Sequence, residues 1–169
     1  MPAGRPVEYT PESEEKEVFG LNVDDLKTDE WGKEIDLLCY ITNNIDLFCR
    51  DVLLDKLISF ETEKEIKKKY KFGPRGQRVD LFINCERSVY IIELKNPKNI
   101  SENRGAIGQI LEYGMYFLDP KKELILLTTK FDIETARIIK FYDLPIRYIY
   151  FDKHKKAEFK GFVDENRAS

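Results

Sequence analysis

Two apolar runs separated by a short polar turn constrain this chain more than any other stretch. The first reads Arg78-Val79-Asp80-Leu81-Phe82-Ile83, the turn is Glu86-Arg87-Ser88, and the second reads Val89-Tyr90-Ile91-Ile92-Glu93-Leu94-Lys95. β-Branched and aromatic residues on either side of such a turn predict a hairpin. Side chains alternate along a strand, so Glu93 and Lys95 share one face and Leu94 takes the other. Asp80 then comes from the neighbouring strand. Two carboxylates and an ammonium crowd one spot, where they repel or neutralise one another unless a hard cation and an anion sit among them. The expectation is a divalent-metal site with a built-in cation.

Helix and strand signals alternate around that hairpin. Trp31 to Phe48 places Ile35, Leu38, Ile41 and Ile45 at helical spacing, with Thr28 or Asp29 as N-cap. Leu54 to Phe60 reads as a strand, and Ile66, Tyr70 and Phe72 alternate with lysines in a further extended run. Gly73-Pro74-Arg75-Gly76 punctuates the chain before a strand from Gln77 to Ile83. Beyond Lys95, Pro97 stops the strand, and Arg104 to Leu118 reads as a helix with Ile107, Ile110, Leu111 and Leu118 on its apolar face. Glu123 to Thr129 is a continuous apolar run, as in a strand buried on both faces. Asp132, as N-cap, opens a helix to Phe141 with Ile133, Ala136 and Ile139 in phase, and Ile146 to Phe151 closes the series as a strand. The order is αβββαβ plus a further helix and strand. That is an α/β fold with a mixed β-sheet flanked by helices, the helix after the third strand serving as a crossover.

Length and charge set the organisation. At 169 residues one domain with a real core is expected. Residues 1–30 carry nine acidic against three basic residues, a net of −6, which leaves +3 for the rest of a chain whose total is −3. With Pro2, Pro6 and Pro11 and few apolar side chains, residues 1–30 read as an acidic flexible arm. Residues 31–152 form the domain and 153–169 a polar C-terminal tail. The domain's positive charge is clustered: Lys64, Lys67, Lys68, Lys69, Lys71, Arg75 and Arg78 lead into Asp80. Such a run holds phosphates by salt-sensitive electrostatics; the alternative is a solvated edge strand whose lysines block sheet-to-sheet aggregation. No apolar run reaches membrane-spanning length and the N-terminus is not signal-like, so a soluble cytoplasmic protein is expected, in a host cell if its source is viral. Cys39, Cys49 and Cys85 are scattered without metal-ligand spacing and read as reduced core thiols. His154 is the single histidine, which leaves zinc hydrolysis and a histidine-based nuclease without their ligands.

Asp80, Glu93-Leu94-Lys95 and, 14 residues on, Gln109-x-x-x-Tyr113 together resemble the PD-(D/E)XK nuclease superfamily, the fold of many restriction enzymes, resolvases and RecB-like nucleases. Val79-Asp80 stands where the superfamily usually has Pro-Asp. The resemblance covers roughly residues 30–151, and the order of elements matches the superfamily core. It implies a restriction-endonuclease-like fold and metal-dependent hydrolysis of phosphodiester bonds in DNA, with RNA left open. Asp80, Glu93 and the Leu94 carbonyl would bind Mg²⁺ or Mn²⁺, a choice that oxygen-only ligands support. Lys95 would orient the attacking water or stabilise charge on phosphorus.

The Gln109–Tyr113 pair, at i and i+4 on one helix side, corresponds to a pair in the RecB-like, archaeal-type endonuclease branch that would position a phosphate or water. The iron–sulfur members of that branch need four cysteines, and this chain has three. Superfamily members commonly add a glutamate from the first helix; Glu34 is the candidate, with Asp36 as an alternative and Glu61 and Glu63 as competitors. Plain structural readings stand beside these: Tyr113 as a half-buried aromatic, Gln109 as a solvent residue, Glu34 and Asp36 as exposed helix charges. Two further functions remain open, a Holliday-junction-type resolvase acting as a homodimer and a catalytically silent DNA-binding module of the same fold.

Overall fold

A computed structural model describes residues 34–65, 78–151 and 162–164. Helix α1 (Glu34–Asn43) and the short α2 (Ile45–Phe48) run into a π-helical turn, Cys49–Leu53. Strands β1 (Leu57–Glu65), β2 (Arg78–Cys85) and β3 (Val89–Lys95) follow. The remainder is α3 (Glu102–Tyr116), β4 (Lys122–Thr128), α4 (Ile133–Phe141), β5 (Ile146–Phe151) and β6 (Phe162–Asp164). The strands form one six-stranded sheet in chain order. β1, β2 and β3 are antiparallel neighbours, β3, β4 and β5 are parallel, and β6 returns antiparallel to β5. The expected α/β mixed sheet flanked by helices is what the chain forms.

The alternation of side chains sorts the core into two layers. On one face Leu37, Tyr40, Ile41 and Phe48 of the first helices pack on Leu81, Ile83, Ile92, Leu94 and Leu127. On the other, Ala106, Ile107, Ile110 and Tyr113 of α3 pack on Ile91, Leu124, Leu126 and Tyr148. Strand β4 is buried on both faces from Leu124 to Thr128, the cause of its unbroken apolar run. Asp132 caps α4 as the sequence suggests, accepting hydrogen bonds from the Glu134 and Thr135 amides.

Several expectations need correction. The first helix breaks at Asn44 instead of running through Phe48, and its buried stripe is Leu37, Tyr40, Ile41, Ile45 and Phe48, with Ile35 and Leu38 only half-buried. Aromatic Tyr40 and Phe48 supply the volume that phases the helix. Leu54 is not in a strand: with φ 54° it is the left-handed stop of the π-helical turn, and β1 begins at Leu57. β1 then continues through the charged residues to Glu65, because it is an edge strand with most of its residues exposed. Leu118 lies beyond the end of α3 and is exposed, as is Ile133 on α4. Phe162–Asp164, inside the stretch read as a polar tail, pairs with β5. Thr28, Asp29, the extended run from Ile66 to Phe72, and residues 1–30 lie outside the described residues.

Candidate active site

The hairpin register sets the site. Leu81 pairs with Ile92, so one step further Asp80 lies across from Glu93, on the face that carries Phe82, Ile91 and α3. Leu94 points the other way, into the layer beneath α1. Like charges directly opposite each other on antiparallel strands are destabilising, yet here Glu93 is buried and Asp80 half-buried. The Glu93 side chain is 3% exposed and its Oε1 lies 3.1 Å from Lys95 Nζ, itself 21% exposed. Glu93 Oε2 has no hydrogen-bond partner. Asp80 Oδ2 accepts the Leu94 amide at 2.8 Å, which ties its carboxylate to the backbone of the acid-x-lysine triplet.

Electrostatics separates this pair from the other buried carboxylates. Burial, and then the negative charge of Asp80, push the Glu93 carboxyl up to about 7, although Lys95 pulls the other way. Burial also raises Asp80, and the Leu94 amide and Lys95 offset only part of it. Asp55 and Asp132 behave oppositely. Burial would raise Asp55, but the Lys56 amide (2.8 Å), Tyr90 hydroxyl (3.0 Å) and Arg87 amide (3.2 Å) hold it below the usual carboxylate range. Burial is likewise overcome at Asp132 by Arg104, Thr135 and the Glu134 amide. At those two carboxylates the partners outweigh burial, whereas at Asp80 and Glu93 burial wins, and Glu93 Oε2 is left without a hydrogen-bond partner.

Helix α3 closes the site from above. Gln109 Nε2 donates to the Tyr113 hydroxyl at 2.7 Å, and that hydroxyl donates to the Arg78 carbonyl at 2.9 Å. Tyr113 is fully buried; burial and the adjacent Glu93 charge raise its hydroxyl well above the ordinary tyrosine range. The structure thus brings together Asp80, Glu93, Lys95, Gln109 and Tyr113. Tyr113 is a buried, bonded residue and not a half-buried filler. Its bond to Arg78 O, which pins helix to strand two residues before Asp80, carries no sequence signal because it uses a backbone carbonyl.

The remaining candidates are placed less closely. Glu34 is the first residue of α1; its side chain lies outside the described residues, as do Lys67, Lys68, Lys69, Lys71 and Arg75. Asp36 is half-buried on α1. Glu61 is paired with Lys64 at 2.8 Å, and Glu63 lies 3.7 Å from Arg78 on the exposed surface. Glu63 stands across β2 from Asp80, between the pairs Thr62–Leu81 and Lys64–Val79. Its φ of 50° is left-handed, a strained backbone for a residue with a Cβ, and its charge adds to the upward push on Asp80. Among the described residues no group of three or more acidic, histidine or cysteine side chains forms a ready metal cluster.

No family model and no curated protein matches the sequence. Three solved structures overlap it in part. The restriction endonuclease PspGI bound to substrate DNA is 21% identical over 72% of this chain and 45% of its own, with a TM-score of 0.46. The small subunit of the heterodimeric restriction endonuclease R.BspD6I gives 16%, 68%, 63% and 0.40, and Pyrococcus furiosus SfsA with Ca²⁺ gives 12%, 73%, 61% and 0.37. The chain spans less than two thirds of each of them. Among its described residues no helix is long and apolar enough to cross a membrane.

Proposed function

We propose that the protein is a divalent-metal-dependent nuclease that hydrolyses phosphodiester bonds in DNA, of the PD-(D/E)XK type and its RecB-like branch. The observation that carries this reading is the unsatisfied carboxylate pair. The buried Glu93 and the half-buried Asp80 face each other across a hairpin, both driven toward protonation, Glu93 with an oxygen that has no partner, beside a lysine. A hard cation relieves all three features at once. The donor set fits Mg²⁺ or Mn²⁺, since it is oxygen throughout. Asp80, Glu93 and the Leu94 carbonyl would hold the ion, with Glu34 as a further ligand. When bound, such an ion lowers the pKa of water and polarises the scissile phosphate.

The chain's own residues take the other tasks. Lys95, held at Glu93 and partly open to solvent, would orient the attacking water or meet the charge that builds on phosphorus. The Gln109 amide is fixed by Tyr113 and would place a phosphate oxygen or water. Arg78, two-thirds exposed beside Glu63, and Lys67, Lys68, Lys69, Lys71 and Arg75 would hold the DNA backbone.

Labelled single-stranded, duplex and four-way-junction DNA, incubated with Mg²⁺, Mn²⁺ or EDTA, tests the reading. Wild type should cleave at least one substrate in metal and none in EDTA, and Glu93→Ala should cleave none. Well-folded wild type that binds DNA but cleaves nothing would replace the nuclease with a silent binding module. Preference for the junction would select the resolvase.

A further inference from the structure

Two of the three cysteines meet in the core. Cys49 opens the π-helical turn after the first helices, and Cys85 ends β2. They are 36 residues apart in the chain, yet the Cys85 thiol donates to Cys49 Sγ at 3.8 Å. Both belong to the buried layer between the first helices and the sheet, whereas Cys39 is half-buried on α1. A single buried thiol is an ordinary apolar filler. Two that face each other join a helical layer to a strand and need only close from contact to the bonding distance of ~2.05 Å.

Bonds that do not involve sulfur hold the two residues opposite each other. The Asp55 amide donates to the Cys49 carbonyl, and the Cys85 amide to the Ser88 carbonyl. The Asp55 carboxylate in turn accepts from the Arg87 and Ser88 amides, in the turn that follows Cys85. The cysteines also stand well apart from the candidate active site. Cys85 is five residues along β2 from Asp80, a rise of about 17 Å. A bond between the sulfurs would close a loop that contains β1, the edge strand, most of whose residues are exposed. Such a cross-link restricts the unfolded chain and favours the folded one.

We propose that Cys49 and Cys85 are a modification site, a dithiol that hydrogen peroxide converts into an intramolecular disulfide and that small thiols restore. Cys85 retains 4% exposure against 0% for Cys49. Burial pushes its thiol up to about 11 and raises that of Cys49 further, so Cys85 reacts first. Its S–H proton leaves and its sulfur attacks one peroxide oxygen. The O–O bond breaks, giving a sulfenic acid at Cys85 and one water. Cys49 sulfur then attacks Cys85 sulfur; the S–O bond breaks, and the expelled hydroxide takes the Cys49 proton as a second water. Each sulfur gives up one electron, and peroxide is reduced to two waters. The high thiol pKa values make the first step slow at neutral pH.

Full-length Cys39→Ser protein, which keeps only this pair, would be held at pH 8 with and without hydrogen peroxide. Freed of peroxide, it would be denatured, alkylated with iodoacetamide and weighed, and a folded portion melted. The oxidised protein should lose two hydrogens, take no adduct and yield a linked tryptic pair of residues 34–50 and 79–87. It should melt higher than the reduced form by on the order of 10 °C, and dithiothreitol should reverse every change. Cys49→Ala and Cys85→Ala in the same background should show neither the bridge nor the shift; the Cys39→Ser protein decides alone if they do not fold. Two alkylated thiols after oxidation, oxygen added to sulfur in place of lost hydrogens, or a cross-linked dimer would overturn the proposal. So would a bridged protein that melts no higher than the reduced one.

Discussion

Replacing Glu93 by glutamine is expected to make the metal-free protein more stable while removing its activity. Glutamine keeps the shape and can still accept from Lys95, but it cannot carry the charge that opposes Asp80. A carboxyl that titrates near 7 instead of the ordinary 4.5 costs the folded state on the order of 3 kcal/mol when ionised. The folded state holds this proton more tightly than the unfolded chain does. Wild-type stability is therefore full below about pH 4.5 and is lost as pH rises through about 7, while the glutamine variant lacks this dependence. At pH 8 without metal, the variant should melt higher by on the order of 5–10 °C; at pH 4 the two should nearly coincide. Addition of Mg²⁺ should raise the wild-type melting temperature at pH 8 and leave the variant unmoved. Thermal unfolding followed by circular dichroism at both pH values, with and without Mg²⁺, measures all of this. A variant that melts below wild type at pH 8 without metal would refute the claim that the pair is repulsive.

Lys95→Ala should retain the fold and lose cleavage by roughly 10²-fold or more, the scale of removing one preorganised charge from a reacting phosphate; single-turnover cleavage beside a circular dichroism spectrum checks both halves. Gly114→Ala should destabilise by about 1–2 kcal/mol, because the clash with the buried Leu124 exceeds the gain in helix propensity; a lower urea midpoint is the readout. Asp55→Asn should lose about 2–4 kcal/mol at pH 7, since four donors then face a neutral amide. Asp55 titrates below the ordinary 3.8, so wild type holds this stability above that pH and loses it as pH falls further; the difference between the two proteins should shrink on acidification.

The parts of the site that one strand period determines were legible in the sequence. Val89 to Lys95 has its chemistry at one end of a β-branched run, and alternation alone puts Glu93 and Lys95 together. Helical spacing put Gln109 and Tyr113 on one side of their helix, and the resemblance to RecB-like nucleases aimed that side at the candidate site. Less legible was anything decided by a neighbour far along the chain. The break at Asn44 depends on how Leu37, Tyr40 and Phe48 fill the layer under β2 and β3, which periodicity within the helix does not contain. β1 was placed too early because Leu54 is apolar and Glu61 to Glu65 are not. Its true span follows from lying at the sheet edge, where a charged strand is solvated on both faces. The strand at Phe162–Asp164 is three residues long, too short to show a period.

Tyr148 gives strand β5 a hold over the candidate site, to which that strand lends no side chain. Its hydroxyl accepts from Asn103 Nδ2 at 3.0 Å and from the Asp132 amide at 2.9 Å, and Asn103 Nδ2 also donates to the Lys130 carbonyl. The first turn of α3 is thereby bolted to β5 and to the loop after β4. A helix fixed at its start has its rotation fixed along its length, so the direction in which Gln109 faces is dictated from a strand two places removed from Glu93. Variation at Tyr148 would turn the aim of the site while leaving every residue in it unchanged.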